Sequence, residues 1–484
     1  MPIQLKDIET ITATDAASTE PYAIFLNPRS INRLKTNILT NIPAIPTMPK
    51  VAICLYRALF TRQNALCMLS IARIASPAQY NLRLMFERLS CSVGVIGGGQ
   101  LARMMIAPAQ ALGVDLKVFA DTPDSSAALA ATAFGSPENG AAVLEFAQTV
   151  DIVTFEHELV PADVLQLLDE RGIEMLPRPR ALRYAQDKLA LRRYLDEISV
   201  NQPAWAEVRS EGDLERFISE HGGCAVVKTG GYDGRGVQVV TLSSEIDTCR
   251  NGGFLAEERI DFVCEVSQLV ARSSIGEICV WPLTQTIQEN GICVQTITPA
   301  LGLSGGNALN QLTTFHDGRT RTPHAPLHSE LITKLQDSAK TIALDIARGL
   351  NVVGVMAVEM FITQDGKLLV NELAMRPHNS GHWSMAASIT DQFEQHLRAV
   401  LGLPLGATDM SHNCAIMVNI FNSISPAQYR EVMTHWPDAK LHIYKKQPRP
   451  GRKIGHVVFA GEDLQQLAIA AEECRQLLRE SHAV

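Results

Sequence analysis

The sequence predicts a multidomain protein of the α/β and α+β classes. From Ser92, strand and helix patterns alternate as in parallel βαβ units, with SVGVIG followed by QLARMMIAPAQALG and then VDLKVFAD. Between residues 224 and 287 the pattern changes to short β-rich runs separated by glycine or acidic turns. A long helical stretch and two more strands follow, and Pro404 marks the start of a small mixed region. A chain of 484 residues is long enough for two to four domains.

Composition narrows the class of protein. Hydrophobic residues make up 46% and charged residues 19%, as in an ordinary globular chain. The net charge of −8 argues against nucleic acid or an anionic membrane as partner, and no apolar run approaches the length of a membrane span. Ten cysteines are scattered without any C-x-x-C pair, which is typical of a reducing compartment, so we expect a cytoplasmic protein.

Residues 1–90 differ from the rest in charge. They carry ten Lys/Arg and five Asp/Glu, whereas residues 91–484 have a net charge of −13. One interpretation is an organelle transit peptide; another is upstream sequence translated ahead of a start near Met85. Three prolines between residues 43 and 49 would interrupt a helix. We therefore expect a poorly ordered extension that catalysis does not need.

The stretch VGVIGGGQLARMM, residues 93–105, joins a strand to a helix through three glycines. Gly97, Gly99 and Ala102 fit the G-x-G-x-x-G/A fingerprint of dinucleotide-binding folds. Asp121 closes the next strand, where a ribose-binding acid would lie. On these residues alone, an NAD-dependent oxidoreductase is an open hypothesis.

The stretch VEMFITQDGKLLVNEL predicts a β-hairpin with a two-residue turn at Asp365-Gly366. Such a turn places Glu359 directly opposite Glu372, with Cβ atoms about 5 Å apart. Two carboxylates so close repel each other unless a cation lies between them, and Mg²⁺ favours carboxylate oxygens. A solvated hairpin with two surface glutamates is the alternative. Asn371 points to the other face of an ideal ladder, so its participation requires a local twist.

The stretch VVKTGGYDGRG combines a lysine with four glycines. Lys228 ends an apolar strand, and the loop after it offers backbone N–H groups to phosphates while the lysine adds a point charge. Further along, Glu257 and Glu258 offer hydrogen-bond acceptors to an adenine amine or to ribose hydroxyls. Each feature is weak alone, because glycine-rich turns and surface charges are common.

Taken in order, four motifs resemble the PurK family of ATP-grasp carboxylase-ligases: IGGGQLARMM, VVKTGGYDGRG, NELAMRPHNSGHW and YKKQPRPGRKIGH. The resemblance spans roughly residues 91–470, and the last two motifs are specific. It implies a Rossmann-like front domain at 91–185, an ATP-grasp central domain at 186–402 with a lid lobe at about 203–265, and a small C-terminal mixed domain at 403–484.

The resemblance also implies the ligands. Bound ATP is expected to contact Lys188, Lys228, Gly231, Tyr232, Asp233, Gly234, Arg235, Gly236, Val237, Glu257, Glu258, Arg259, Ile260, Glu265, Gln288, Asn371 and Glu372. Mg²⁺ is expected on Glu359 and Glu372. The catalytic and substrate-binding residues are expected to be Glu156, Tyr232, Asp233, Arg235, Arg376, His378, Lys446, Arg449, Arg452 and Lys453. So many cations on an acidic body suit a substrate phosphate and bicarbonate. A homodimer is implied as well.

The implied reaction is the ATP- and Mg-dependent carboxylation of 5-aminoimidazole ribonucleotide with bicarbonate, through carboxyphosphate, in de novo purine (IMP) biosynthesis. The front glycine loop then shapes the substrate side of the cleft instead of binding NAD. The alternatives are another purine-pathway ATP-grasp ligase, such as formate-dependent glycinamide ribonucleotide transformylase, a non-catalytic homologue, and the oxidoreductase. The last leaves the Glu359/Glu372 pair unexplained.

Three positions depart from the family pattern. VVKTGGYDG is about two residues short after its lysine, Gln288 stands where a histidine is common, and Leu159 replaces a frequent asparagine. None of these changes removes a metal or substrate-phosphate residue.

Overall fold

The computed structural model describes residues 91–228, 236–242, 253–289, 291–300 and 329–479. The predicted extension at 1–90 lies outside these ranges. So do five predicted site residues of the glycine-rich loop: Gly231, Tyr232, Asp233, Gly234 and Arg235.

The front domain is built on a four-stranded parallel sheet in the order β3-β2-β1-β4. Its strands are β1 (Ser92–Ile96), β2 (Asp115–Ala120), β3 (Ala131–Phe134) and β4 (Ile152–Phe155), and its helices are α1 (Gln100–Leu112), α2 (Gly140–Ala147) and α3 (Ala162–Glu170). β1 and β4 are buried on both faces, which explains their continuous apolar sequences. α1 ends at Gly113, whose φ of 70° suits glycine. The short strand β3 is absent from the sequence-based prediction.

Two helices lead from the front domain to the centre, α4 (Pro179–Gln186) and α5 (Lys188–Glu197). Proline occupies the first turn of α4, where its missing N–H costs nothing. Asp187 caps α5 by accepting a hydrogen bond from the Ala190 N–H. This cap makes Lys188 the first residue of the helix and fixes where its side chain starts.

The lid lobe is a four-stranded antiparallel sheet in the order β5-β8-β6-β7, and a helix packs against it. Its elements are β5 (Trp205–Val208), α6 (Glu211–Glu220), β6 (Ala225–Lys228), β7 (Val237–Val240) and β8 (Phe254–Glu257). Ser210 and Asp213 form a capping box that starts α6. Leu214 and Phe217 of this helix share a buried cluster with Val227 of β6.

The remaining strands form one nine-stranded sheet in the order β14-β13-β9-β11-β12-β15-β17-β16, with β10 paired to β9. They are β9 (Phe262–Arg272), β10 (Ile278–Val280), β11 (Thr284–Glu289), β12 (Ile292–Thr298), β13 (Gly354–Thr363), β14 (Leu368–Ala374), β15 (Cys414–Phe421), β16 (Lys440–Ile443) and β17 (Lys453–Gly461). The β-rich run EICVWPLTQTI is divided between β10 and β11 because Pro282 cannot donate to a ladder.

The C-terminal region continues the central sheet. β12 pairs antiparallel with β15, and Ile297 packs in the same core as Ile416 and Val418. The predicted boundary at residue 403 therefore coincides with no break in hydrogen bonding, since β15 covers what would otherwise be an exposed edge of β12.

Five helices pack around this sheet: α7 (Ser329–Gly349), α8 (Ser384–Ala387), α9 (Gln392–Val400), α10 (Pro426–His435) and α11 (Leu464–Arg479). α9 contacts both α1 of the front domain and β13 of the central sheet. Asp391 caps it by accepting from the N–H groups of Phe393 and Glu394. No helix in the described ranges is long and apolar enough to cross a membrane.

Candidate active site

The hairpin of β13 and β14 places Glu359 opposite Glu372, as predicted. Its turn differs from the prediction. The Thr363 N–H donates to the Lys367 carbonyl at 3.0 Å, which leaves a three-residue loop with Gly366 at φ 75°. The two-residue turn is thus wrong, and the longer loop alone would shift every pair by one residue. A bulge between the Glu359 and Met360 pairs restores the register.

The extra residue of this bulge is Asn371. Met360 pairs with Val370 and Glu359 with Glu372, so Asn371 has no partner opposite it. A bulge redirects the side chain of the residue it inserts. Asn371 Oδ1 accepts a hydrogen bond from Lys228 Nζ at 2.9 Å, and Glu372 Oε2 accepts one from Lys188 Nζ at 2.8 Å. The bulge thus supplies the local twist that a role for Asn371 requires.

Lys228 joins the lid lobe to this hairpin. Besides Asn371, its ammonium contacts Glu257 Oε2 at 2.8 Å. Burial lowers the pKa of Lys228. Burial alone would raise the pKa of Glu257, but the positive charges of Lys228 and Arg192 outweigh it and hold that pKa below its usual value. Burial would also raise the pKa of Glu372, but the positive charges of Lys188 and Lys228 outweigh it and lower that pKa. Both carboxylates are therefore ionised at neutral pH.

His378 and Arg376 follow β14 in the chain. His378 Nε2 lies 3.1 Å from Glu359 Oε1, and its Nδ1 lies 2.8 Å from Ser380 Oγ. Arg376 Nε donates to Glu158 Oε2 at 2.8 Å, which ties this segment to the loop after β4. The structure thus brings both predicted substrate residues to the same end of the sheet as the paired glutamates.

Glu156 lies directly after β4, at the start of α1. Its Oε1 accepts a hydrogen bond from the Leu101 N–H at 3.2 Å. A Cβ atom at Gly99 would lie only 2.2 Å from the same oxygen, so the glycine makes room for this carboxylate. In dinucleotide-binding folds a pyrophosphate occupies this helix N-terminus. Here the protein's own anion fills that place, which argues against the NAD hypothesis.

The predicted basic cluster lies on the segment between β16 and β17. Lys446 Nζ hydrogen-bonds Gln100 Oε1 at the start of α1, close to Glu156 along the glycine loop. Arg452 donates to the Gln447 carbonyl at 3.1 Å, and Lys453 is the first residue of β17. Arg449 is exposed. Of the four cations, Lys446 is therefore the one whose contacts place it against the front domain.

The other predicted ATP-binding residues lie in the lid lobe, in its connection to the central sheet, or on β9 and β11 of that sheet. Glu258, Arg259 and Ile260 link β8 to β9, where the lid lobe meets the central sheet. Gly236 and Val237 lie at the start of β7. Glu265 of β9 pairs with Phe361 of β13, and Gln288 lies at a register shift in β11.

The oxygen donors at the hairpin fit magnesium. Glu359 and Glu372 supply two carboxylates, with the Asn371 side chain beside them. Mg²⁺ is commonly held by one or two carboxylates together with substrate phosphates rather than by an all-protein cage. Consistently, no group of three or more His, Cys, Asp or Glu side chains in the described parts of the chain has the arrangement of a metal site.

The sequence analysis missed Arg192. Its side chain is 1% exposed and bonds Glu257, Gln202 and two carbonyls of β14. The available signal was spacing, since Arg192 lies four residues after Lys188 on the same face of α5.

Comparison with known proteins agrees with this geometry. Family models match at residues 91–186 (ribonucleotide synthetase preATP-grasp domain), 193–311 and 311–393 (ATP-grasp domain) and 415–470 (phosphoribosylaminoimidazole carboxylase C-terminal domain). The N5-carboxyaminoimidazole ribonucleotide synthase of Mycobacterium bovis is 40% identical over 396 residues, covering 78% of this chain and 86% of the relative. That of Corynebacterium ammoniagenes is 38% identical over 390 residues, covering 77% and 88%.

Solved structures are similar too. The N5-carboxyaminoimidazole ribonucleotide synthetase of Thermus thermophilus superposes with a TM-score of 0.67 at 32% identity, covering 80% of this chain and 98% of that one. The Aspergillus clavatus enzyme, solved with ADP and 5-aminoimidazole ribonucleotide, gives 0.68 at 25% identity, covering 81% and 100%. From sequence identity, coverage and fold together, this chain belongs to the N5-carboxyaminoimidazole ribonucleotide synthase family of ATP-grasp ligases.

Proposed function

We propose that this chain carboxylates 5-aminoimidazole ribonucleotide to N5-carboxyaminoimidazole ribonucleotide, with hydrolysis of ATP to ADP and phosphate, in purine biosynthesis. The observation that carries the proposal is the meeting of two lysines with the hairpin oxygens. Lys188 bonds Glu372 and Lys228 bonds Asn371. Both bonded residues lie on β14, the strand that carries one of the two paired carboxylates. Such a set of cations and hard oxygen donors suits the phosphates of Mg-ATP.

Each group has a task in this reaction. Glu359 and Glu372 would hold Mg²⁺, which would neutralise charge on the phosphate oxygens when bound. Lys188 and Lys228 would add point charges for the phosphates beside these carboxylates. Because these cations are already placed by their carboxylate and amide partners, little reorganisation accompanies phosphoryl transfer.

Bicarbonate needs activation because it is a poor electrophile. One of its oxygens takes the γ-phosphoryl group of ATP, which releases ADP and leaves carboxyphosphate. The exocyclic amine of the substrate then attacks the carboxyl carbon, or the CO₂ set free from it, and phosphate departs. We propose that Arg376, His378 and Glu156 orient the substrate, together with Lys446, whose ammonium contacts Gln100 of the front domain.

The glycine-rich loop after Lys228 carries the remaining proposed contacts. Tyr232, Asp233 and Arg235 are proposed to reach the substrate, and the loop backbone the phosphates. We also keep the homodimer and the cytoplasmic location as parts of this proposal. The ten scattered cysteines, with no C-x-x-C pair, suit a reducing compartment. Light scattering of the purified chain tests the dimer.

Phosphate release tests the activity. It should require Mg²⁺, ATP, 5-aminoimidazole ribonucleotide and bicarbonate, and omission of any one should abolish it. Turnover with glycinamide ribonucleotide and formate instead would assign the chain to the sister ligase. No turnover with either substrate, despite ATP binding, would indicate a non-catalytic homologue. Binding of NADH, seen as fluorescence transfer from the protein, would revive the oxidoreductase hypothesis.

A further inference from the structure

Arg192 is a fully buried cation beside the proposed site. It lies in the second turn of α5, and its side chain is 1% exposed. Its Nε donates to Glu257 Oε1 at 2.5 Å and Nη2 lies 2.5 Å from the same oxygen. Nη1 donates to the Val370 carbonyl at 2.9 Å and Nη2 to the Asn371 carbonyl at 2.6 Å. A buried arginine with this many partners is arranged to hold them in place.

Two of these partners are the backbone of the β14 bulge. A bulge interrupts the regular ladder and leaves local backbone groups in need of other partners. Arg192 bonds both the carbonyl before the inserted residue, that of Val370, and the carbonyl of Asn371 itself. The guanidinium therefore holds the bulge in the form that directs Asn371 toward Lys228 and keeps Glu372 opposite Glu359.

The third partner links the bulge to the lid lobe. Arg192 engages Oε1 of Glu257, and Lys228 engages Oε2 of the same carboxylate. Lys228 in turn donates to the Asn371 side chain. The four residues form a closed ring from α5, β8, β6 and β14, so a shift at any one is transmitted to the others.

We propose that Arg192 is a positioning residue for the Mg-ATP site, acting through Asn371 and Glu372 without touching the nucleotide. The inference rests on the function proposed above. A planar guanidinium with five N–H donors serves the carboxylate and both carbonyls at once, whereas a lysine ammonium is a point donor on a different stem. Arg192→Lys should therefore keep the positive charge but lose the simultaneous hydrogen bonds to the carboxylate and the two carbonyls.

The test compares Arg192→Lys with Arg193→Lys. Arg193 is the exposed neighbour, 52% accessible, and bonds only Glu207 among the contacts described for its side chain. Arg192→Lys should raise the Mg²⁺ concentration for half-maximal phosphate release about 10-fold to 100-fold, the size of effect seen when the partners of metal ligands are removed. The KM for 5-aminoimidazole ribonucleotide should stay near wild type. Arg193→Lys should change neither.

Calorimetric binding of Mg-ADP separates this inference from the proposed reaction, because it needs no turnover. Weaker Mg-ADP binding by Arg192→Lys supports the inference even if 5-aminoimidazole ribonucleotide is not the substrate. Asn371→Ala should weaken binding too, and the double variant should be no worse than the poorer single one, since both break the same ring. Unchanged Mg²⁺ dependence in a folded Arg192→Lys variant, or fully additive losses in the double variant, would overturn it. If that variant does not fold, Arg192→Gln is measured in the same way.

Discussion

Glu359 and Glu372 face each other across the β13–β14 hairpin, and each contacts a nitrogen atom of another side chain. His378 Nε2 approaches Glu359 at 3.1 Å, while Lys188 Nζ approaches Glu372 at 2.8 Å. The ammonium of Lys188 offsets part of the repulsion between the two carboxylates, and each contact engages one oxygen atom of its carboxylate. Substitution of either carboxylate should therefore weaken Mg²⁺ binding.

Glu359→Gln and Glu372→Gln should each lower kcat by more than about 100-fold, because an amide oxygen cannot replace a carboxylate in holding Mg²⁺ against a triphosphate. Glu330→Gln is the matched control, since Glu330 is 82% exposed and pairs only with Lys334 among its described ion pairs. Phosphate release at several Mg²⁺ concentrations measures the effect. Near-normal turnover of either variant at limiting Mg²⁺ would contradict the metal site.

Gly99→Ala should impair substrate binding. The new Cβ would meet Glu156 Oε1 at 2.2 Å and its Cδ at 2.6 Å, so the carboxylate must leave the start of α1. We expect the KM for 5-aminoimidazole ribonucleotide to rise and the melting temperature to fall. Gly212→Ala, in α6 with no atom within 4 Å, should be neutral or stabilise by up to about 1 kcal/mol. Equal behaviour of the two variants would show that Glu156 does not depend on Gly99.

Lys446→Met should raise the KM for 5-aminoimidazole ribonucleotide about 10-fold and leave the KM for ATP unchanged. The reason is position: Lys446 bonds Gln100 on the front domain, whereas Lys188 and Lys228 bond the side chains of Glu372 and Asn371. Lys440→Met, at the exposed start of β16, removes the same charge from the same domain and should have no effect. A rise in the KM for ATP instead would move Lys446 to the nucleotide side.

Acid should destabilise the protein through His396. This buried imidazole accepts from the Val355 N–H and hydrogen-bonds Thr154 Oγ1, and burial lowers its pKa to about 3 from 6.5. Between those values the unfolded chain binds a proton that the folded chain does not, so stability falls as pH falls. The loss from His396 alone is about 2 kcal/mol between pH 7.5 and pH 5.

Urea unfolding at both pH values measures this effect. His396→Gln should lose about 2 kcal/mol less than wild type on acidification, although it is less stable at pH 7.5. The buried histidines His382 and His456, whose pKa values are also lowered, act equally in both proteins and cancel in the difference. An identical loss in the variant would mean that the pKa of His396 is the same in the folded and the unfolded chain.

The local pattern of apolar and turn residues was enough to predict much of the secondary structure. The alternation of β1, α1 and β2 follows from short apolar runs and turn residues, and these depend mainly on neighbours in sequence. The pairing of Glu359 with Glu372 was also predicted, but from a two-residue turn that does not form. The loop is one residue longer than predicted, which shifts the pairing by one residue, and the extra residue in β14 shifts it back. Glu359 therefore still pairs with Glu372. A bulge has no reliable local signal, because it is stabilised by what contacts it.

The sequence by itself determined the family motifs, the alternation of strands and helices in the front domain, and the residue types that can hold phosphate and magnesium. Only the tertiary structure decided which of them meet. Arg192 on α5 reaches the β14 bulge, Lys228 crosses from the lid lobe to Asn371, and β15 extends the central sheet beyond the predicted boundary. These contacts join residues far apart in the chain; Lys228 and Asn371, for example, are separated by 143 positions. Their energy comes from burial and from charges brought together, which no window of local sequence contains.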